Sequence, residues 1–265
     1  MRVTLNGAPV ETSAGTLFEL RDELMPGRDV AVLNGFQAAA DRPLSEGDCV
    51  HLGKKGELPS REELESLMSA RHSPRVHGAV KGSVVGIAGL GGLGSNIAAA
   101  LARLGVGRLV VADFDVVEPT NLNRQNYFVS HLGMAKTDAT VEILRGVNPF
   151  VEVEAHAVRV SPGNAAEIFG GCDVVCEAFD SATEKAMLAN ALMEGLPGVP
   201  LVCGSGLAGY GDSNEIRTER RMGGLYLCGD GESAAGEGSG LMSPRVCICA
   251  GHMANAVLRI LMGVE

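Results

Sequence analysis

The sequence has no tryptophan, and aromatic residues make up only 4% of it. Its interior must be built from Val, Leu, Ile, Ala and Met, and a hydrophobic content of 46% supplies enough of them for a packed core. No apolar run approaches the ~18 residues of a membrane span, which excludes a membrane helix. The opening residues, MRVTLNGAPV, alternate and turn polar too early for a secretory signal, so a cytoplasmic location is expected. Basic residues are scarce as well. Against 32 Asp and Glu there are 22 Lys and Arg, a formal charge of -10, which lacks the basic footprint of a general nucleic-acid binder. A nucleotide is not excluded by this, because a phosphate site is local. The seven cysteines are odd in number and form no C-x-x-C pair, which argues against a disulfide framework.

Three segments are distinguishable. Residues 1–56 alternate around Asn6-Gly7, a strong hairpin signal. They continue through a helical stretch, "GTLFELRDELM", that ends at Pro26-Gly27, and then through the short strand candidates "DVAVLNG" and "DCVHLG". This order suits a small β-grasp (ubiquitin-like) domain. Residues 57–80 hold a linker helix at 60–70, with Ser60 and Glu63 as a capping box, and a basic stretch around Pro74. Residues 81–265 alternate nearly continuous apolar strands with helices, as a parallel sheet covered on both faces requires. The expected fold class is α/β: a Rossmann-like doubly wound sheet preceded by the β-grasp domain. The Gly- and Ser-rich residues 229–243 are expected to form a mobile loop, and "CAGHMANAVLRILMG" a last helix.

The candidate site begins at "GLGGLG", in which Gly89, Gly91 and Gly94 have G-x-G-x-x-G spacing between a strand and a helix, with Gly92 inside the turn. Glycines there allow a tight turn and close backbone approach, and the helix start offers free N–H groups to phosphate. The next strand ends near Asp113, where a ribose is usually held, with Asp115 beside it. Both an NAD-dependent dehydrogenase and an ATP enzyme fit so far. The polar run "DFDVVEPTNLNRQNYF" favours the latter. It carries Asn121, Arg124 and Gln125, with Lys136 to follow, and Arg124 and Lys136 suit neutralisation of a triphosphate during nucleotidyl transfer. Asp180 ends the strand "DVVCEAFD" at the sheet edge where ligands bind, a place suited to Mg²⁺ bridging phosphates.

At these residues the chain resembles the ThiF/MoeB superfamily of bacterial relatives of ubiquitin-activating enzymes. "GIAGLGGLGSN", "DFDVVEPTNLNRQNYF", "GMAKTD" and "EAFDSATEKAML" carry the resemblance over residues 71–262, and "GSGLAGYGDSN" points to the ThiF-like subgroup with a ThiS-like front domain. The resemblance implies ATP and Mg²⁺ as cofactors. It implies Asp113 at the ribose, Arg124, Gln125 and Lys136 at the phosphates, and Asp180 at the metal. It also implies a homodimer in which Arg71 reaches the partner's site. The partner substrate would be a small ubiquitin-like sulfur-carrier protein with a Gly-Gly C-terminus, activated for thiocarboxylate formation in thiamine biosynthesis. Most members bind structural zinc through two C-x-x-C pairs. Here Cys228, Cys247 and Cys249 lack that spacing and a fourth partner, so zinc is not expected, and Cys247 and Cys249 are expected to pack in a strand. Some members use a cysteine covalently; Cys203 and Cys228 are candidates without a matching motif. The front domain lacks a terminal Gly-Gly and is expected to dock or support. The alternatives are activation of a small molecule or a tRNA base, a dehydrogenase, or a scaffold without activity.

Overall fold

Asn6 and Gly7 both take positive φ, 49° and 86°, which closes a two-residue hairpin whose twist matches that of its strands. The hairpin joins β1 (Arg2–Leu5) to β2 (Ala8–Glu11) and opens a five-stranded sheet. The computed structural model describes residues 1–57, 60–69, 72, 74–221 and 223–265. These divide into two units, Met1–His77 and Gly78–Glu265.

In the first unit α1 (Leu17–Leu24) follows the hairpin, its start fixed by a Thr16–Glu19 capping box. Then come β3 (Val30–Leu33), β4 (Phe36–Gln37) and β5 (Cys49–Gly53). The strand order is β2-β1-β5-β3-β4, and β1 runs parallel to β5. Leu17 and Leu20 of α1 pack against Val3, Leu5, Val50 and Leu52, so one sheet face holds the core. This is the expected β-grasp arrangement. After β5 the chain forms α2 (Arg61–Ser69), where Ser60 Oγ accepts from Glu63 N at 3.1 Å and Glu63 returns the bond to Ser60 N at 2.8 Å. Asn6 ties α2 to the hairpin by donating to Glu63 at 2.6 Å. The basic stretch beyond it is a further helix, α3 (Pro74–Lys81), where the composition suggests only a connecting segment.

The second unit is a seven-stranded sheet. Its elements in chain order are β6 (Val84–Ala88), α4 (Gly92–Leu104), β7 (Arg108–Ala112), α5 (Lys136–Val147), β8 (Glu152–His156), α6 (Ala165–Phe169), β9 (Val174–Glu177), α7 (Ala182–Gly195), β10 (Leu201–Gly204), β11 (Arg217–Arg220), β12 (Leu225–Gly229) and α8 (Ser243–Leu261). The order across the sheet is β11-β12-β10-β9-β6-β7-β8, parallel except for β11. Chain order runs one way from β6 through β7 to β8 and the other way from β6 through β9 to β10. A crevice therefore opens beyond the carboxyl ends of β6 and β9, where doubly wound sheets bind ligands.

Cys247 and Cys249 lie in helix α8, not in a strand. "VCIC" has the composition of a strand, but the buried residues Val246, Cys249, Ala250, Met253, Ala256 and Val257 follow helical spacing back to the first turn. Among the described residues no helix is long and apolar enough to cross a membrane.

Candidate active site

The glycine loop is shaped by β6 and by the approach of its neighbours. Gly89 has φ +91° and bonds through its N–H to Ala112 O at 2.8 Å. Helix α4 starts at Gly91 with no side chain capping it, so its first-turn N–H groups remain for another acceptor. A cavity of about 470 Å³ lies over this loop. Of the residues singled out in the sequence, Gly89, Gly91, Gly92, Asp113, Asp115, Arg124, Gln125, Lys136 and Asp180 line it. Gly94 and Asn121 do not, and Arg71 lies outside the described residues.

Asp113 directly follows β7 and is nearly buried. One carboxylate oxygen accepts from Leu90 N at 2.6 Å and the other from Asp115 N at 2.8 Å, which locks the glycine loop to the second strand. Lys136, at the start of α5, is buried except for 6% of its surface and reaches Asp115 at 2.9 Å. Asn121 works behind the cavity. Its side chain accepts from Glu118 N at 3.0 Å and its carbonyl accepts from the N–H groups of Arg124 and Gln125, so it sets the turn that presents those two. Arg124 donates through Nη1 to Thr120 O at 3.1 Å and Asn123 Oδ1 at 2.9 Å. Its Nε and the Oε1 of Gln125 are buried without a partner among the described residues. Such orphaned groups carry a desolvation cost that a polar ligand would relieve.

The opposite wall comes from β9 and α7. Asp180, just past β9, is exposed to the cavity and has no hydrogen bond or ion pair among the described residues. Behind it Glu177 is wholly buried, accepting from Phe179 N at 2.6 Å and pairing with Lys185 at 3.0 Å. Burial pushes the Glu177 carboxyl up, against the pull of Lys185. Lys185, Glu184, Arg159 and Phe114 also line the cavity, and the sequence reading named none of them. Arg159 pairs with Glu184 and lies 5.1 Å above the Phe114 ring. The signal for Lys185 was faint: a lysine one turn into the helix that follows "EAFD". Lys185→Met is expected to destabilise the fold by about 3 kcal/mol at neutral pH, because it strands a buried carboxylate. With Lys185 gone the Glu177 pKa rises further. The folded form then holds a proton that the unfolded chain has lost, so the deficit grows as pH rises from 5 to 8. Urea titrations at both pH values check this, and Glu177→Gln in the same chain should recover most of the loss.

Five cysteines, Cys172, Cys176, Cys203, Cys228 and Cys249, are buried, and burial pushes each of their thiols up, Cys172 and Cys249 to about 12. Such thiols are poor nucleophiles at neutral pH. Cys247 is exposed on α8, with Asn96 Oδ1 3.7 Å from its sulfur. Among the described residues no group of three or more His, Cys, Asp or Glu stands close enough to hold a metal ion. The described residues thus offer no dedicated protein cage, whereas Mg²⁺ commonly needs only one or two carboxylates beside substrate phosphates. Asp180 fits that lesser demand.

A model of the ThiF family matches residues 68–265, and one of ThiS-like ubiquitin matches residues 1–56. The chain is 32% identical over 225 residues to an adenylyltransferase and sulfurtransferase of Eremothecium gossypii, covering 80% of this chain and 50% of that protein. It is 38% identical over 133 residues to the SAMP-activating enzyme E1 of Haloferax volcanii, covering 50% of this chain and 48% of the other. The chain spans about half the length of these curated relatives. Among solved structures, the E. coli tRNA N6-threonylcarbamoyladenosine dehydratase in complex with ATP shares the fold. Its TM-score is 0.67 over 74% of this chain and 92% of that one, at 23% identity.

Proposed function

The chain belongs to the ThiF family, and from that premise we propose that its cavity binds ATP and adenylates the C-terminal carboxylate of a ubiquitin-like sulfur carrier ending in Gly-Gly. The observation that carries this reading is the set of polar groups on the cavity wall. The unpartnered Arg124 Nε, the Gln125 amide, the Lys136 ammonium and the Asp180 carboxylate surround one glycine loop. An NAD-dependent dehydrogenase would leave that set without a task.

In this reading Asp113 holds the ribose, and the N–H groups at the start of α4 take phosphate. A carrier carboxylate oxygen attacks the α-phosphorus, a carboxyl O–P bond forms, and the bond to the β-phosphate breaks with release of pyrophosphate. The carboxylate is already ionised, so no general base is needed. Arg124 and Lys136 orient the phosphates and offset the charge that develops on them. Asp180 would hold Mg²⁺, which when bound neutralises phosphate charge. A sulfide-level sulfur nucleophile then attacks the acyl carbon, the C–S bond forms as the C–O bond to AMP breaks, AMP leaves and a thiocarboxylate remains; thiazole formation for thiamine is the use we assign to it. A homodimer in which Arg71 enters the partner's site completes the phosphate cradle.

The front domain is not the substrate in this reading. The chain leaving β5 is tied by Arg28 to Glu57 at 2.7 Å and by Asp29, which accepts from Lys55 N at 2.8 Å, and it then runs on into α2. It has no free carboxylate to activate. Activation of a tRNA base shares the first chemical step, and the relation to the dehydratase fold keeps it as the second reading. Exchange of labelled pyrophosphate into ATP separates the two. Exchange is expected with a Gly-Gly carrier and not with one lacking its terminal glycines; equal exchange with both, or exchange driven by tRNA alone, overturns the carrier reading.

A further inference from the structure

Arg245 stands in the first turn of α8, and only 4% of it is exposed. Its guanidinium donates through Nη1 to Asp212 O at 2.9 Å, and through Nη2 to Glu215 at 3.2 Å and to Asp230 at 2.6 Å. These acceptors lie in two loops, one after β10 and one after β12. A buried guanidinium is costly unless its partners are well placed, and breaking such a pair costs far more than breaking a surface one.

Asp230 passes the constraint on. Its second oxygen accepts from Glu232 N and Ser233 N, both at 2.8 Å, and Ser233 Oγ accepts from Ala208 N at 3.0 Å. Asp230 N bonds to Gly206 O at 2.9 Å, and Gly231 N to Ser205 O at 3.0 Å. Burial alone would raise the Asp230 carboxyl, but the Ser233 hydroxyl, the two amides and Arg245 outweigh it and hold it well below the usual carboxylate range. Any side chain at Gly206 would run into Asp230, so this seam is closely fitted. The stretches it joins, Ser205–Ala208 and Ser233–Ala235, line the cavity and follow β10 and β12, which the sheet order sets across β9 and β6 from β7, the strand that Asp113 follows. Asp113 and Lys136 are held by separate bonds to Leu90, Asp115 and their own loop, none of which involves Arg245.

We propose that Arg245 is a positioning residue that fixes the acceptor side of the cavity, the wall against which the carboxylate-bearing chain is laid, and leaves the part of the nucleotide side made by the glycine loop, Asp113 and Lys136 to form without it. This rests on the adenylation reading above. The bond network predicts a split. Without the Arg245 fork the turn at Asp212 and Glu215 loses its tie to Asp230, the wall loosens on the bonds that remain between Ser205–Ala208 and Asp230–Ser233, and ATP still meets the glycine loop, Asp113 and Lys136. Lysine at this position keeps one contact to Asp230 but cannot reach Asp212 and Glu215 together.

The test compares wild type with Arg245→Met, Arg245→Lys and Asp230→Asn. It measures the ATP Kd by direct titration, the KM for a Gly-Gly carrier in pyrophosphate exchange, and the rate of thermolysin cleavage within residues 229–243. Arg245→Met is expected to raise the carrier KM at least tenfold and the cleavage rate by a similar factor, with the ATP Kd changed less than twofold. Arg245→Lys should recover part of both losses. Should Arg245→Met fail to fold, Asp230→Asn, which keeps an acceptor for the two amides, is expected to show the same split at smaller size. Unchanged carrier KM, or an ATP Kd that weakens in step with it, overturns the proposal. Failure of the adenylation reading shows elsewhere, as wild type that exchanges no pyrophosphate with any carrier, and it overturns the assignment of that wall to a carboxylate.

Discussion

Asp180→Ala is expected to lower carrier-dependent pyrophosphate exchange by roughly 10²–10⁴-fold, the loss that removal of several kcal/mol of charge stabilisation produces. The stability of the variant should match wild type, because the Asp180 carboxylate is exposed and bonds to nothing among the described residues. That combination separates a ligand-facing carboxylate from a structural one. Were Asp180 merely the residue that starts α7, its loss would show in the melting curve. The start of that helix is held instead by Ser181, whose hydroxyl caps Glu184 N. A further readout is the Mg²⁺ dependence of exchange. Wild type should saturate at low metal concentration, and Asp180→Ala should need much more or fail to saturate. Near-normal exchange in a folded variant removes Asp180 from the site and moves the metal role to the nucleotide's own phosphates.

How far the sequence led depends on the range of the interactions. The parallel sheet was legible because "SVVGIAGL", "RLVVADFD" and "DVVCEAF" are strands buried on both faces, and such strands must be apolar throughout. The hairpin at Asn6-Gly7 was legible because two successive positive φ angles select those residues. β11 is not legible because Arg217–Arg220 is a charged edge strand with no apolar face to signal it, and β12 follows it directly beyond the turn at Gly223-Gly224. Helix α3 went unread because charged and small residues around Pro74 look like a linker until a helix start is allowed at a proline. The candidate site divides along the same line. Asp113, Arg124, Gln125, Lys136 and Asp180 stand at strand ends and in one polar run, where local pattern is enough. Lys185 and Arg245 earn their places from Glu177, Asp230 and Glu215, partners that only the folded chain brings near. Residues 229–243, read as a mobile loop on composition, are tied through Asp230 at one end and through a bridge between Leu241 and Gly209 at the other.

The three glycines that share one motif should respond in different ways to the same added methyl. Gly89 holds φ +91°, and a Cβ there would also press on the Ala178 carbonyl at 3.0 Å. Gly94 has helical backbone, yet its Cβ would overlap the Gly89 carbonyl oxygen and sit 2.9 Å from that carbonyl carbon. The obstacle is backbone, so no rotamer change relieves it. Helix α4 would have to move off β6, and the N–H groups of its first turn would move with it. Gly94→Ala is therefore expected to cost about 1–3 kcal/mol in stability, the usual range for overpacking, and to weaken ATP binding by more than tenfold. Gly91 is the contrast. The nearest atom to an added Cβ there is Gln125 Nε2 at 3.9 Å, an ordinary contact, and no backbone atom stands in its way. Gly91→Ala should lose less stability than Gly94→Ala, and its loss of affinity should come mainly from the methyl that now stands in the cavity where a phosphate would approach. Urea denaturation and an ATP titration on the two variants distinguish these roles. Equal loss of stability in both would mean that the loop tolerates no side chain anywhere, and the separation between packing and ligand approach within the motif would fail.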